Sequence, residues 1–177
     1  MMAFEGRFQI YTGNGKGKTT AALGLAVRAA CAGLRVYIGQ FMKGRDCAEL
    51  SLPQYFPGKI IIEQYGDAAL IGKGEEPSQE DVSLAVDGLA RLTAAMLSGD
   101  YQVVVADELN VAVHMGLVSR DSTLDLVRAR PRGVELVLTG RYAPESLIEV
   151  ADLVTEMVEK KHYYATENLR ARKGIEA

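Results

Sequence analysis

The residues best suited to chemistry crowd into one stretch, Thr12-Gly13-Asn14-Gly15-Lys16-Gly17-Lys18-Thr19-Thr20. Its alternating glycines let the backbone curl so that successive N–H groups point inward, an arrangement that cradles phosphate oxygens. Lys18 can then reach the outer phosphates as a point charge, and Thr19 can offer its hydroxyl to Mg²⁺. Lys16 supplies a second cation at contact range. Such a phosphate loop (Walker A) must join a strand to a helix, and this one lies between an apolar run at 8–11 and a helical pattern at 19–32. The helix adds the positive end of its dipole to the same site. The stretch therefore implies binding of a nucleoside triphosphate, with ATP the expected ligand. One position departs from the general pattern: Thr12 stands where a glycine is usual, so Gly13 and Gly15 must make the turn.

A second concentration of chemistry is Asp107-Glu108, directly after the apolar run Val103-Val104-Val105-Ala106. A run apolar on both faces reads as a buried parallel strand. Carboxylates at its carboxyl end face the ligand edge of the sheet, where they can hold Mg²⁺ directly or through water. Thr19, Asp107 and Glu108 are the expected metal group, with Lys18 and Glu108 as the catalytic pair. Arg141, at another strand end, and Arg28, on the helix after the loop, are further candidates for nucleotide contact. His114 and His162 lack metal-ligand spacing and read as ordinary side chains rather than cobalt or zinc ligands. The basic tail residues Lys160, Lys161, Arg170, Arg172 and Lys173 read as a solvated face.

Positioning these groups calls for strands at 8–11, 35–41, 60–64, 103–106, 135–139 and 153–158. Helices fit at 19–32, from Ser78 to Gly99, from about Leu109, at 122–130 and at 144–151. Gly33 closes the first helix. Asp81, three residues after Ser78, makes a weak capping box. Val82, Val86, Leu89, Thr93 and Met96 recur at helical spacing and form its expected core face. Strands alternating with helices predict α/β class: a doubly wound, mostly parallel sheet of the P-loop NTPase (RecA-like) type. The expectation is one domain over 1–177, with 161–177 as an irregular C-terminal tail.

Composition narrows the setting. A formal charge of −3 disfavours a dedicated nucleic-acid binder. No apolar run approaches the roughly 20 residues a membrane-spanning helix needs. Two cysteines, Cys31 and Cys47, have no zinc or redox spacing and read as free thiols of a reducing compartment, so a cytoplasmic location is expected.

A phosphate loop does not say which bond breaks. Water or a substrate hydroxyl could attack the outer phosphorus, or a nucleophile could attack the ribose 5′ carbon and expel triphosphate. No Asn-Lys-x-Asp motif for a guanine base occurs.

Several blocks together resemble the P-loop corrinoid adenosyltransferases, the family acting on cob(I)alamin or cob(I)yrinic acid a,c-diamide. They are 13–20, Gly33-Leu34-Arg35-Val36 leading to Gln40-Phe41-Met42-Lys43-Gly44, Asp107-Glu108-Leu109-Asn110 and 137–144. The block 147–157, Lys161-His162 and Lys173-Gly174-Ile175-Glu176 complete the series, in order along nearly the whole chain. The resemblance implies that a reduced corrinoid attacks the 5′ carbon of Mg·ATP, giving adenosylcorrinoid and triphosphate. It implies ATP bound the opposite way round from other P-loop proteins, a homodimer, and a flavoprotein as reductant. Members usually carry aromatic residues, including a tryptophan, in the loop after the third strand. Here 66–77 holds no aromatic residue, the chain has no tryptophan, and Tyr65 is the nearest candidate. The rival readings are a P-loop kinase or hydrolase acting at the outer phosphate, and a corrinoid- or ATP-binding protein without turnover.

Overall fold

The computed structural model describes residues 4–44, 46–66, 76–169 and 171–175. Six strands, β1 (Phe8–Thr12), β2 (Val36–Phe41), β3 (Ile60–Tyr65), β4 (Val103–Asp107), β5 (Glu135–Thr139) and β6 (Leu153–Glu156), form one sheet in the order β3-β2-β4-β5-β1-β6. Every pairing is parallel. Parallel neighbours need crossovers, and these are supplied by α1 (Lys18–Cys31), α2 (Leu52–Tyr55), α3 (Gln79–Leu97), α4 (Leu109–His114), α5 (Arg120–Ala129) and α6 (Glu145–Ile148). A short α7 (Tyr163–Glu167) follows the last strand. This is the α/β, doubly wound P-loop NTPase (RecA-like) architecture that the alternating pattern predicts.

The central strands β2, β4 and β5 are buried along almost their whole length because both faces of the sheet are covered there. Ala22, Ala26, Ala29 and Ala30 of α1 pack on Val36, Ile38, Ile60, Val103, Val105 and Val137. Small residues let that helix lie close to the sheet. The opposite face, with Phe8, Ile10, Val104, Leu136 and Leu138, receives Leu89, Leu92 and Met96 of α3, Leu109 of α4, Leu126 of α5 and Leu147 of α6.

Ser78 caps α3 in a full capping box with Asp81. The core face of α3 is Ala85, Gly88, Leu89, Leu92 and Met96, turned from the expected one, and Val86 is half exposed. The reason is Tyr65. A Cβ on Gly88 would lie 2.3 Å from the Tyr65 ring, and one on Gly39 would lie 2.6 Å from it. Tyr65 is thus wedged between β2 and α3, edge-on to Phe41 with its hydroxyl on that of Tyr37. Tyr65, the nearest aromatic to the loop after the third strand, is the last residue of β3 and part of the core, and residues 67–75 lie outside the described residues.

Other boundaries shift for local reasons. Ser119 caps α5 by accepting the N–H of Ser122, so the helix begins at Arg120 rather than Ser122. The helix after Pro144 stops at Ile148, and β6 ends at Glu156, where the chain turns onto the phosphate loop. A 3₁₀ turn (Ala48–Ser51) and α2 fill the β2–β3 connection, where no helix is expected. No described helix is long and apolar enough to cross a membrane.

Candidate active site

The strand order sets β1, β5 and β4 side by side, so the phosphate loop, Thr139 and Asp107 share one carboxyl edge. Gln40 is the register partner of Asp107 and extends the row onto β2. Residues 14–20 of the loop, Glu108, Arg141, His162 and Ile175 line a cavity of about 300 Å³.

The loop is clamped from behind by the exit of β6. Gly15 donates its N–H to the Met157 carbonyl at 2.7 Å, and Met157 donates to the Thr12 carbonyl at 2.9 Å. A Cβ at Gly13 or Gly15 would stand 2.5 or 2.7 Å from the Met157 carbonyl oxygen. Here lies the reason for glycine at both positions, and for tolerating Thr12, whose buried side chain accepts the N–H of Ala143 instead of making the turn. Gly15→Ala is expected to destabilise the chain by about 1–3 kcal/mol through this overpacking and to weaken Mg·ATP binding. Thermal unfolding with and without Mg·ATP checks it; an unchanged midpoint and ligand shift would contradict the clamp.

Lys18 folds back so that its ammonium donates to the carbonyls of Gly13 (2.7 Å) and Gly15 (2.8 Å). Burial, with Arg141 adding to it, lowers its pKa against the pull of Glu108 and Asp107. The charge is therefore held over the loop, where an anion would offer it a better partner.

The two carboxylates have different surroundings. Asp107 is 1% exposed. Its Oδ1 accepts the hydroxyls of Thr19 (2.8 Å) and Thr139 (2.7 Å), and its Oδ2 accepts Lys43 (2.8 Å) and Gln40 (3.2 Å). Both oxygens are fully engaged within the protein. Lys43 and Gln40 also bond Glu49 of the 3₁₀ turn. Glu108 sits in the left-handed region at φ 61°, costly for a side chain with a Cβ. Its N–H is held by the Thr139 hydroxyl at 2.9 Å. That turn points Glu108 into the cavity wall while Asp107 remains beneath it. Burial first, and then the Asp107 charge, raise the Glu108 pKa above the usual carboxylate range.

Asn110, fully buried on α4, donates to the Gly140 carbonyl at 3.3 Å. It braces the peptide ahead of Arg141, which reaches the cavity. Tyr142, also left-handed at φ 61°, stacks on His114 with ring centroids 4.2 Å apart.

Of the expected nucleotide group, Asn14, Gly15, Lys16, Gly17, Lys18, Thr19 and Thr20 form the wall together with Glu108 and Arg141. Thr12, Gly13 and Asp107 support it from outside. Arg28 stands in the last turn of α1, about 15 Å along the helix from Lys18, beside Tyr11 and away from the cavity wall among the described residues. Three contributors carry no local motif: Lys43, Met157 and His162. Their only sequence signal is membership in the blocks 40–44, 147–157 and 161–162.

The donors fit a Mg²⁺-bound triphosphate. Thr19 donates its proton to Asp107 and so keeps lone pairs for a cation, and Glu108 offers a carboxylate in the wall.

Residues 5–177 match the model of the family described as ATP:corrinoid adenosyltransferase BtuR/CobO/CobP. The corrinoid adenosyltransferase of Pseudomonas aeruginosa is 36% identical over 97% of this chain and 84% of its own length. The corrinoid adenosyltransferase CobA of Salmonella typhimurium is 29% identical over 94% and 83%. An uncharacterized protein of Nostoc is 37% identical over 97% of this chain, which spans only 48% of that relative. Among solved structures, a KaiC-like protein from Pyrococcus horikoshii superposes with TM-score 0.58 at 20% identity, over 89% of this chain and 75% of its own; that likeness is one of fold. The blocks that surround the cavity are those running through the matched span, and the chain belongs to the ATP:corrinoid adenosyltransferase family.

Proposed function

We propose that this protein transfers the adenosyl group of Mg·ATP to a reduced corrinoid. The observation that carries this reading is a family match over residues 5–177, with the phosphate loop, Glu108, Arg141, His162 and Ile175 of that span lining one cavity. In the reaction, the electron pair of Co(I) attacks the ribose 5′ carbon. The cobalt–carbon bond forms as the carbon–oxygen bond to the α-phosphate breaks, and triphosphate leaves with that bond's electrons. Co(I) is itself the nucleophile, so neither a general base nor a protein nucleophile is needed. The protein's contribution is orientation and stabilisation of the leaving group's charge.

The geometry supports the following residue roles. Lys18, the loop amides and Arg141 hold the triphosphate. Lys16 and Asn14 complete the wall on the loop side. Thr19 and Glu108 would hold Mg²⁺, which would supply further neutralisation of the triphosphate charge. Asp107 is a positioning residue that orients Thr19, since both its oxygens are already engaged.

The test is anaerobic mixing with Mg·ATP and chemically reduced cob(I)alamin, following the cobalt spectrum and phosphate products together. The expected result is loss of the Co(I) spectrum with a light-sensitive adenosyl product and stoichiometric triphosphate. ADP and phosphate in their place would make it a kinase or hydrolase, and tight binding without turnover a carrier.

The same reading includes a flavoprotein electron donor, a cytoplasmic setting and a homodimer. The thiols of Cys31 and Cys47 are free, in keeping with a reducing compartment. A dimer is supported by β6, an edge strand whose residues are all exposed, with Leu153 and Val154 at 45% and 40% and Val158, two residues beyond the strand, at 58%. Apolar side chains on an unpaired edge are a liability that a second copy would cover. Wild-type protein is expected to run as a dimer in light-scattering chromatography, and Leu153→Glu as a monomer; a Leu153→Glu dimer would move the interface elsewhere.

A further inference from the structure

His162 comes to the phosphate cavity from the far end of the chain. The Met157 clamp on Gly15 brings the strand exit across the loop, and five residues later the imidazole lines the same wall as Lys16, Lys18 and Arg141. The ring is held by its neighbours. Its Nδ1 accepts the Tyr164 N–H at 3.0 Å, and its face tilts on Tyr163 with centroids 4.6 Å apart. The Arg172 guanidinium lies 5.0 Å from the Tyr163 ring centre, and this ties the final segment, with Ile175, to the cavity wall.

An imidazole nitrogen that accepts a hydrogen bond carries no proton, so the ring proton sits on Nε2. That has two consequences. Nε2 has no lone pair to give a cobalt ion, so an axial-ligand role is unavailable in this tautomer. The nitrogen is instead a donor, in a wall where Lys16, Lys18, Arg141 and the loop N–H groups suit an anion and Glu108 is the one carboxylate among the described residues.

We propose that His162 is a substrate-contact residue whose Nε2–H donates to a phosphate oxygen of the nucleotide, making the C-terminal segment one wall of the triphosphate site. The proposal rests on the nucleotide-binding reading above and deepens it.

The experiment is calorimetric titration of the full chain with Mg·ATP and, separately, with magnesium tripolyphosphate. Two variants are compared with wild type. His162→Phe keeps a ring against Tyr163 but loses the donor. His162→Gln places an amide N–H at about the position of Nε2. A hydrogen bond to a charged group predicts that His162→Phe weakens both ligands by about tenfold or more, while His162→Gln stays within about threefold of wild type. Unchanged affinity in His162→Phe overturns the proposal. So does an equal loss in both variants, which would mark a packing role, or a loss for ATP alone, which would place the contact on the nucleoside. Failure of the wild type to bind either ligand would instead sink the nucleotide reading itself.

Discussion

Lys18→Ala is expected to lower turnover at saturating Mg·ATP and cob(I)alamin by about 10²–10³-fold, the usual cost of removing one preorganised donor to developing charge. The side chain is 7% exposed and already lies over the loop, bonded to the Gly13 and Gly15 carbonyls. An incoming triphosphate need not recruit it from solvent. As the bond to the 5′ carbon breaks, negative charge grows on the departing oxygen, and a fixed ammonium stabilises that charge without reorganising. The loss should therefore appear in kcat as well as in KM. A Lys18→Ala variant with wild-type kcat would mean that the departing charge is neutralised elsewhere, with Arg141 the next residue to test. The thermal midpoint should move little, because the two carbonyls it leaves stand beside an open cavity and can turn to water.

The adjacent carboxylates should separate cleanly into one that holds the fold and one that holds the ligand. Asp107→Ala leaves the Lys43 ammonium, 25% exposed, with Glu49 at 3.4 Å as its remaining ion pair among the described residues. Three further donors, from Thr19, Thr139 and Gln40, lose the same acceptor. Removing one member of a buried ion pair costs about 3–5 kcal/mol, which for a domain of this size lowers the midpoint by about 10 °C. Glu108→Gln removes a buried charge that Asp107 already opposes, so its midpoint should hold or rise slightly. Its defect should lie in Mg²⁺, with turnover needing at least tenfold more of the ion for half-maximal rate. Differential scanning calorimetry and a Mg²⁺ titration of turnover decide the matter. An unaltered midpoint in Asp107→Ala would remove its counter-ion role, and an unaltered Mg²⁺ requirement in Glu108→Gln would take that residue out of the metal site.

The parts legible before folding were those with local causes. The phosphate loop, the helix after it and Gly33 at that helix's end follow from glycine conformation, charge and short-range periodicity. The capping box at Ser78 and the doubly covered strands follow in the same way, and with them the fold class. Family membership was legible because the matching blocks run in order along the chain.

What needed the tertiary structure is what depends on which strands become neighbours. The order β3-β2-β4-β5-β1-β6 puts Gln40, Asp107 and Thr139 in one row, though nearly a hundred residues separate the first from the last. Only that row shows that the oxygens of Asp107 are spoken for, while Glu108 lines the cavity. The positive φ of Glu108 could not be inferred from residue type, because glutamate avoids that conformation. Periodicity alone places Val86 on the core face of α3; Tyr65, lodged against Gly39 and Gly88, sets how the helix packs. Met157 and His162 reach the phosphate loop across more than 140 residues of sequence. Neither has a pattern of its own, because a clamp or a cavity wall is defined by position in space. Local chemistry is written in adjacent residues and can be read there; a site assembled across a sheet exists only once the strands have chosen their partners.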